Sequence, residues 1–345
     1  MKGLRKYLTP FAPDQSGAAG VLYDLGGIVV ICDAGGCAGN ICGFDEPRWT
    51  ARKSAVFSAG LRDMDAILGR DDRLVGKLAD AAVKLDANFA AIIGTPVPAV
   101  IGTDFKALRR MAEKRIGLPV ISIPCYGMDL CDRGEEAAYD ALFQVLAEEG
   151  AEKEPGRIGV IGASPLELGD LSEAEAIREA LKARGWRKVS VYGMGASFRE
   201  VQTAGGAEKN LVVSPAGLLA AERLKARFGT PYETGYPLED RRLYGMKIEG
   251  KRCLVVHQQV RACALRDQLE ALGAKKVDVA SWFMMKPELS RPGDAHLVEE
   301  DDFLLLARDY DLILADGTMA PMLEGFSGEF LELPHFAVSG KQVVV

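Results

Sequence analysis

Histidine is scarce in this sequence, and the common hydrolase motifs are missing from it. Only three histidines occur among the 345 residues, at His257, His296 and His335. No HxxxH or HExxH motif and no histidine–carboxylate cluster joins them, which argues against a zinc hydrolase. There is also no GxxxxGK(S/T) and no GxSxG motif. The sequence therefore predicts neither P-loop hydrolysis of ATP nor the serine nucleophile of an α/β-hydrolase.

An excess of basic residues and long apolar runs are also absent. The 42 lysines and arginines are outnumbered by 49 acidic residues, which leaves a formal net charge of −7. A generic surface for nucleic acid or for an anionic membrane is therefore not expected. No apolar run approaches the roughly 20 residues that span a bilayer, and the first residues lack the apolar stretch of a secretory signal. We expect a cytoplasmic protein that contacts neither nucleic acid nor a membrane.

Two glycine-containing turns, at 159–169 and 192–206, lie where a dinucleotide-binding loop would lie. Neither turn matches GxGxxG, and the second has only Gly193 and Gly195 in register. A full match would cradle a pyrophosphate at the N-terminus of the following helix. Ordinary strand–helix turns are therefore predicted at both places, with nucleotide binding as the alternative.

Cysteine is the residue type whose placement is unusual. A disulfide framework is not expected for the seven cysteines, because the cytoplasm keeps thiols reduced. Three of them, Cys32, Cys37 and Cys42, recur every five residues in the glycine-rich segment 26–44, which follows an apolar run. This spacing is not the CxxC of a zinc knuckle or of a thioredoxin site. Since the segment follows a predicted parallel strand, the thiols are expected at the carboxyl edge of a sheet.

These three thiols have two interpretations. An iron–sulfur cluster takes about four thiolates, whereas this segment offers three, with Asp33 and Asp45 as candidate oxygen ligands. Two such segments meeting on a dimer twofold axis would supply four. The first interpretation is thus ligation of a metal or cluster by some of these cysteines. The alternative is that they are small buried residues without a ligand.

Apolar, β-rich runs alternate with amphipathic helical stretches almost throughout the chain. Strands are predicted at 27–33, 89–96, 118–125, 157–164, 210–215, 250–257 and 310–317, and a helix at 71–86. Fully apolar strands in a βαβ order are typical of parallel sheets covered on both faces. We predict an α/β protein with three Rossmann-like, doubly wound units: 1–150, which carries the cysteine segment and a dimer interface, 151–245 and 246–345.

Ligands of such folds bind where strands end at the carboxyl edge of the sheet. This rule selects five residues that follow predicted strands as candidates for lining an interdomain cleft: Ser164, Gly195, Ser214, His257 and Gly317. For His257 a structural hydrogen bond is the alternative.

Several segments, taken in order, resemble one family. The segment GGIVVICDAGGCAGN (26–40) resembles a strand followed by a glycine–cysteine turn, and IIGTPVPAVIGTDFKALRR (92–110) resembles the strand–turn–helix that comes later. GLPVISIPCYGMD (117–129) and the second-unit segments 158–185 and 210–232 continue the resemblance. On these motifs the chain resembles nitrogenase component 1 and its relatives. These include cofactor-assembly scaffolds, the dark-operative protochlorophyllide and chlorophyllide reductases, and a relative in coenzyme F430 biosynthesis.

The resemblance implies which residues are ligands, and this chain departs from the family pattern at two positions. Cys37 falls on a cluster-ligating cysteine, with Cys42 and Cys32 as the next ligand candidates. Thr95 stands where the family has a second ligand cysteine, and Ser214 stands where the catalytic subunit of nitrogenase holds its cofactor by cysteine. A 4Fe–4S cluster is therefore implied, and a nitrogenase-type molybdenum cofactor is not.

The function implied is that of an oxidoreductase subunit. It would form a homodimer, or a heterodimer with a paralogous subunit, and hold the cluster near the interface. It would take electrons from a separate ATP-dependent iron–sulfur reductase and reduce a substrate in an interdomain cleft. The alternatives are a non-catalytic scaffold or carrier for a metal cofactor or tetrapyrrole, and a metal-free binding protein.

Overall fold

Three parallel β-sheets form the frame of the protein. The structure, a computed structural model, describes residues 5–339. The first sheet has the order β2-β1-β3-β4, the second β6-β5-β7-β8 and the third β11-β10-β9-β12-β13. The strands are β1 (Ile28–Ile31), β2 (Ala55–Ser58), β3 (Ala90–Ile93), β4 (Val120–Ile123), β5 (Glu154–Ile161), β6 (Lys188–Val191), β7 (Ala207–Val212), β8 (Tyr232–Thr234), β9 (Arg252–Val256), β10 (Lys276–Ser281), β11 (Ala295–His296), β12 (Leu312–Ala315) and β13 (Glu329–Glu332).

Helices connect and cover these strands, as parallel pairing requires. They are α1 (Asp14–Leu22), α2 (Gly36–Asn40), α3 (Asp63–Leu68), α4 (Asp71–Lys84), α5 (Pro96–Val100), α6 (Phe105–Ile116), α7 (Cys131–Leu146), α8 (Glu173–Ala183), α9 (Phe198–Gln202), α10 (Leu218–Phe228), α11 (Gln259–Ala271), α12 (Glu300–Ala307) and α13 (Phe336–Ser339). The prediction of three Rossmann-like α/β units is confirmed. We call each sheet with its helices the first, second and third unit.

The first sheet is covered on both faces by different helices. On one face, Ile28 and Val30 of β1 pack against Leu74 of α4 and Leu108 of α6. On the other face, Val29 and Ile31 belong to a core that includes α1 and α7. Because successive side chains of a strand point to opposite faces, every residue of β1 is buried.

Helix α7 is shared between the first and second units. Its residues Tyr139, Leu142 and Phe143 lie in the same core as Tyr192 of the second unit, and the rings of Phe143 and Tyr192 meet edge to face at 4.9 Å. Helix α1 packs closely on α7 at two glycines. A Cβ added at Gly134 would lie 1.7 Å from the carbonyl oxygen of Asp14. The predicted boundary after residue 150 stays a prediction, because this core continues across it.

The segment before α1 packs on the third unit. The ring of Phe11 contacts those of Trp282 and Phe283 at 5.7 and 5.3 Å between centroids. The carboxylate of Glu300 accepts hydrogen bonds from the backbone N–H groups of residues 6, 7 and 8 at 2.7–2.9 Å. The first and third units are therefore tied together by the start of the described chain.

Among the helices of residues 5–339, none combines the length and the apolar character needed to traverse a bilayer.

Candidate functional site

The cysteine segment follows β1 at the carboxyl edge of the first sheet. After Cys32 and Asp33 the chain turns at Gly35, whose φ of +125° is outside the range that other residues favour. Helix α2 follows, and it continues into a single π-helical turn at Ile41–Asp45. The predicted placement of the thiols at a sheet edge agrees with this geometry.

The two candidate oxygen ligands hold the segment together. Asp33 is buried, and its carboxylate accepts hydrogen bonds from the N–H of Ala38 at 2.8 Å and from the hydroxyl of Ser58 at 2.5 Å. Asp45 accepts from the hydroxyl of Ser16 and the side-chain amide of Asn40, both at 2.6 Å. Both carboxylates are therefore engaged in shaping the loop.

Cys32 is separated from Cys37 by the sheet itself. Cys32 is buried in the core under α4 and α6, in line with Ile28 and Val30, whereas Cys37 packs against the core on the opposite face. Burial raises the pKa of the Cys32 thiol to about 12. The three thiols are thus not brought together by the fold, and Cys32 is the most enclosed of them.

Cys37 and Cys42 are the two more accessible thiols of the segment. Both are half-buried, Cys37 in α2 and Cys42 in the π-helical turn. Burial raises both thiol pKa values; the charge of Asp33 adds to this at Cys37 and that of Glu46 adds to it at Cys42, while the Thr95 hydroxyl opposes it at Cys37. Without a metal these side chains are neutral thiols, and a coordinated metal would deprotonate them.

Thr95 lies next to Cys37, and its hydroxyl acts on the thiol of that residue. It follows β3, which pairs with β1, and it is fully buried at the N-terminus of α5. Its hydroxyl donates to the carbonyl oxygen of Cys32 at 2.8 Å. Thr95 is therefore close to the Cys37 thiol, but its hydroxyl bonds to the backbone.

No group of three or more histidine, cysteine or acidic side chains is arranged to hold a metal ion in the part of the chain that the structure describes. Two other cysteines near this edge, Cys125 and Cys131, are buried, and burial raises both pKa values. One chain thus offers a cluster two accessible thiols, which is half of what four-thiolate ligation requires.

Exposed apolar side chains surround the same sheet edge. They follow β1, β3 and β4, whose carboxyl ends are adjacent because these strands are parallel neighbours. We call this group the edge patch: Phe44, Val97, Val100, Ile101, Tyr126 and Met128. Val100 and Met128 are 87% and 82% exposed. Clustered apolar exposure of this kind marks an interaction surface on a folded protein.

The five predicted cleft residues do not share one environment. Ser164, Ser214 and His257 are buried, Gly317 is partly exposed and Gly195 is exposed. Ser214 has no hydrogen-bond partner for its hydroxyl. None of the five lines any of the five cavities described within residues 5–339. Their role at a cleft stays a prediction.

His257 is held in a neutral form by its contacts. Its Nδ1 accepts from the N–H of Gln258 at 2.8 Å, so the proton is on Nε2, which faces the carbonyl oxygen of Pro334 at 3.2 Å. The ring stacks on His335 with 4.1 Å between centroids. Burial, with a smaller contribution from His335, holds the pKa of His257 well below its usual range.

The largest of these cavities, about 810 Å³, lies between the second and third units. Tyr236 and Tyr244 line it beside Cys263, Arg266 and Arg291. Arg266 is paired with Asp294 at 2.7 Å, and Arg291 with Asp267 and Glu270 at 3.0 Å. The sequence prediction missed this cavity. Its only signal was the tyrosine- and proline-containing stretch 231–245, which links two predicted units.

Comparison with known proteins places this geometry in context. The family described as nitrogenase component 1 type oxidoreductase matches residues 16–239. Curated relatives called nitrogenase iron-molybdenum cofactor biosynthesis protein NifE include that of Klebsiella pneumoniae, 26% identical, with 71% of this chain and 55% of that protein covered. That of Bradyrhizobium diazoefficiens is 23% identical, with 81% and 58% covered. In these two alignments, the chain spans a little over half the length of the curated relative.

A solved structure titled nitrogenase Cp1 at pH 6.5 superimposes with a TM-score of 0.73 at 13% identity, covering 96% of this chain and 87% of that one. A second, titled nitrogenase Cp1 at pH 5, gives a TM-score of 0.68 at 16% identity, with 97% and 85% covered. At these identities the likeness concerns the fold, and the predicted resemblance in fold is confirmed.

Proposed function

Because this chain belongs to the family of nitrogenase component 1 type oxidoreductases, we propose that it holds an iron–sulfur cluster at an interface between two chains. Cys37 and Cys42 of each chain are the proposed ligands. The partner is a second copy or a paralogous subunit. We propose a 4Fe–4S cluster, since two half-buried thiols from each of two chains make four.

The edge patch is the observation that carries this proposal. Apolar side chains are exposed beside two accessible thiols, on the same edge of the same sheet. An interface that covered the patch would remove water from the thiols. Burial and hydrogen bonds to sulfur are the means by which a protein sets the potential of a cluster.

The residues around Cys37 fit this role. The buried carboxylate of Asp33 fixes the start of α2 through the N–H of Ala38, so the backbone that carries Cys37 is preorganised. Thr95 supports the preceding turn through the Cys32 carbonyl. When bound, the cluster supplies reversible one-electron storage. The protein residues position the thiols and exclude solvent.

Electron supply and substrate complete the proposal. The sequence has no GxxxxGK(S/T) motif, so we assign ATP hydrolysis to a separate iron–sulfur reductase. We place the substrate between units, where the five predicted cleft residues and the cavity of about 810 Å³, which none of them lines, are two separate candidate locations. The proposed location is the cytoplasm, where the thiols stay reduced.

A second candidate function is a scaffold or carrier for a metal cofactor. The curated relatives are called cofactor biosynthesis proteins. Ser214 lies where the resemblance implies a cofactor-holding cysteine, and Thr95 lies where it implies a second cluster ligand. These two departures favour temporary holding over catalysis.

Iron content after anaerobic purification tests both functions. We expect about four irons per dimer, lost in Cys37→Ser and in Cys42→Ser because each removes two thiolates per dimer. Cys253→Ser is the control, because this cysteine is buried in β9, away from the proposed site.

Unchanged iron in Cys37→Ser would contradict the ligand assignment, and colourless protein after reconstitution would contradict both functions. Transfer of electrons from an ATP-dependent reductase, followed by substrate turnover, would distinguish the oxidoreductase from the carrier. A carrier would instead release its cluster or cofactor to an acceptor protein.

A further inference from the structure

A pair of buried glutamates lies where the three units meet. Glu135 is in the first turns of α7, and Glu167 ends a 3₁₀ turn that follows β5 of the second unit. Both are enclosed, at 0% and 3% exposure. One turn before Glu135, Asp132 accepts a hydrogen bond from the N–H of Met284, which belongs to the third unit.

The donors around this pair are too few for two carboxylates. The hydroxyl of Ser164 donates to Oε1 of Glu135 and accepts from the N–H of Glu167 at 3.3 Å. The Oε2 atoms of both glutamates are buried without a donor. Within residues 5–339 no lysine, arginine or histidine makes an ion pair with either carboxyl group.

Ser164 brings the two residues together, because its hydroxyl bonds to the carboxyl group of Glu135 and to the backbone of Glu167. Carboxylate oxygens only accept hydrogen bonds, so two ionised carboxyl groups could not satisfy each other here, whereas a proton on one of them supplies the missing donor. Two uncompensated negative charges in a buried site would also be very costly. We propose that Glu135 and Glu167 form a proton-binding site, and that the proton they share stabilises the contact between the first and second units.

The surroundings agree with a retained proton. Burial raises the pKa of Glu135 to about 8, partly offset by its hydrogen bonds to Ser164 and Glu167. Burial, then the charges of Glu135 and Asp132, raises the pKa of Glu167 well above its usual range. We assign the proton to Glu167, which donates it to Glu135.

The neighbouring titratable groups supply no compensating positive charge. Those that face the pair from α7 and from the second unit are Cys131, Asp132, Tyr139 and Tyr236. From the chain beside α13, His335 bonds to the backbone of Leu166, the residue before Glu167. The guanidinium of Arg48 acts on Tyr139 but is paired with Glu46 and Asp24, both at 2.7 Å. His335 is neutral, because burial lowers its pKa to about 3.

Because the folded state retains a proton that the unfolded state releases, the stability of the protein depends on pH. The folded pair keeps a proton that the unfolded glutamates release near pH 4.5, so its contribution to stability is complete below that pH and is lost as pH rises through the raised pKa values of the pair. Each pH unit in this window multiplies the unfolding equilibrium constant by about ten for each proton retained.

The test compares Glu167→Gln with the native chain. A glutamine amide still donates to Glu135 but carries no titratable proton. We expect the ratio of the native to the variant unfolding constant to rise about tenfold per pH unit between about pH 5.5 and about pH 8. Glu175→Gln is the control, since Glu175 is an exposed glutamate of α8 in the second unit, and its ratio stays constant.

Two results would overturn the proposal. The first is a ratio for Glu167→Gln that does not change with pH. The second needs no variant to fold: the native protein at pH 7 should show an infrared band of a protonated carboxyl group, which disappears on alkaline titration. If that band is missing, no proton is shared.

Discussion

Thr95 lies close to a candidate ligand, whereas its side chain bonds to the backbone. It lies beside Cys37 because β1 and β3 are parallel neighbours with aligned carboxyl ends. Its hydroxyl donates at 2.8 Å to the Cys32 carbonyl, a buried acceptor. A thiol at this position would be a weak donor to the same carbonyl. The threonine therefore gives this carbonyl a stronger hydrogen bond than a cysteine would.

Removing this hydroxyl should destabilise the protein. We expect Thr95→Val to lower the free energy of unfolding by about 1–3 kcal/mol, because a buried carbonyl oxygen loses its donor. Thr95→Ser keeps the hydroxyl and serves as the control. Denaturant unfolding monitored by circular dichroism measures both, and equal stability of the two variants would contradict the assigned hydrogen bond.

The residues of the candidate site were predictable only in part. The segment that carries Cys37 and Cys42 was predicted at a sheet edge, because a glycine-rich turn after an apolar strand has few other places to lie. The separation of Cys32 from Cys37 was not, since it depends on which helices cover each face. Glu135 and Glu167 resemble surface residues of amphipathic segments. Only the meeting of three units buries them.

At the scale of elements, the contact between α1 and α7 depends on two glycines. A Cβ at Gly17 would lie 1.9 Å from the carbonyl oxygen of Cys131, and one at Gly134 would lie 1.7 Å from that of Asp14. These obstacles are backbone atoms, which cannot rotate away. The glycines therefore set the distance between the helices, and with it the position of Glu135 one residue later.

An added methyl group should separate these helices. We expect Gly134→Ala to lower the free energy of unfolding by about 1–3 kcal/mol or more through overpacking. Gly76→Ala, in α4, meets nothing within 4 Å and should be neutral or stabilising by up to about 1 kcal/mol, as helix propensity dictates. Thermal unfolding compares them, and a Gly134→Ala variant as stable as Gly76→Ala would contradict the close approach.

Some helices and strands were predicted from the sequence, and others were missed. The helix expected at 71–86 is observed at Asp71–Lys84, because its apolar residues recur on one face. Helix α1 was not predicted: all nine of its residues are buried, so it lacks the polar face that makes a helix recognisable. Strand β2 was also missed, since this edge strand has four residues and none is fully buried.

At the scale of the whole molecule, most of the exposed large apolar side chains among residues 5–339 belong to the first unit. The edge patch lies at the carboxyl edge of the first sheet, beside Cys37 and Cys42. A second chain that covered this patch would bury apolar area and bring two pairs of thiols together. Dimer formation and cluster binding are therefore expected to depend on each other.

Charges in the edge patch should separate the chains. We expect the native protein to sediment anaerobically as a dimer, at twice the 37.1 kDa of one chain. The double variant Val100→Lys, Met128→Lys should sediment as a monomer and lose its iron, because lysines cannot be buried there without a partner. Val83→Lys, at an exposed apolar residue of α4 outside the patch, is the control.

A native monomer that still contains iron would contradict the shared site. A dimer that persists in the double variant would place the interface elsewhere on the surface.

The contact of Glu300 with the backbone of residues 6–8 has a consequence for synthesis on the ribosome. The earliest part of the described chain leaves the exit tunnel long before its partner is translated. Leu8 and Phe11 must therefore remain without their final packing while the first two units are made. The contact can therefore form only after α12, which carries Glu300, has been made.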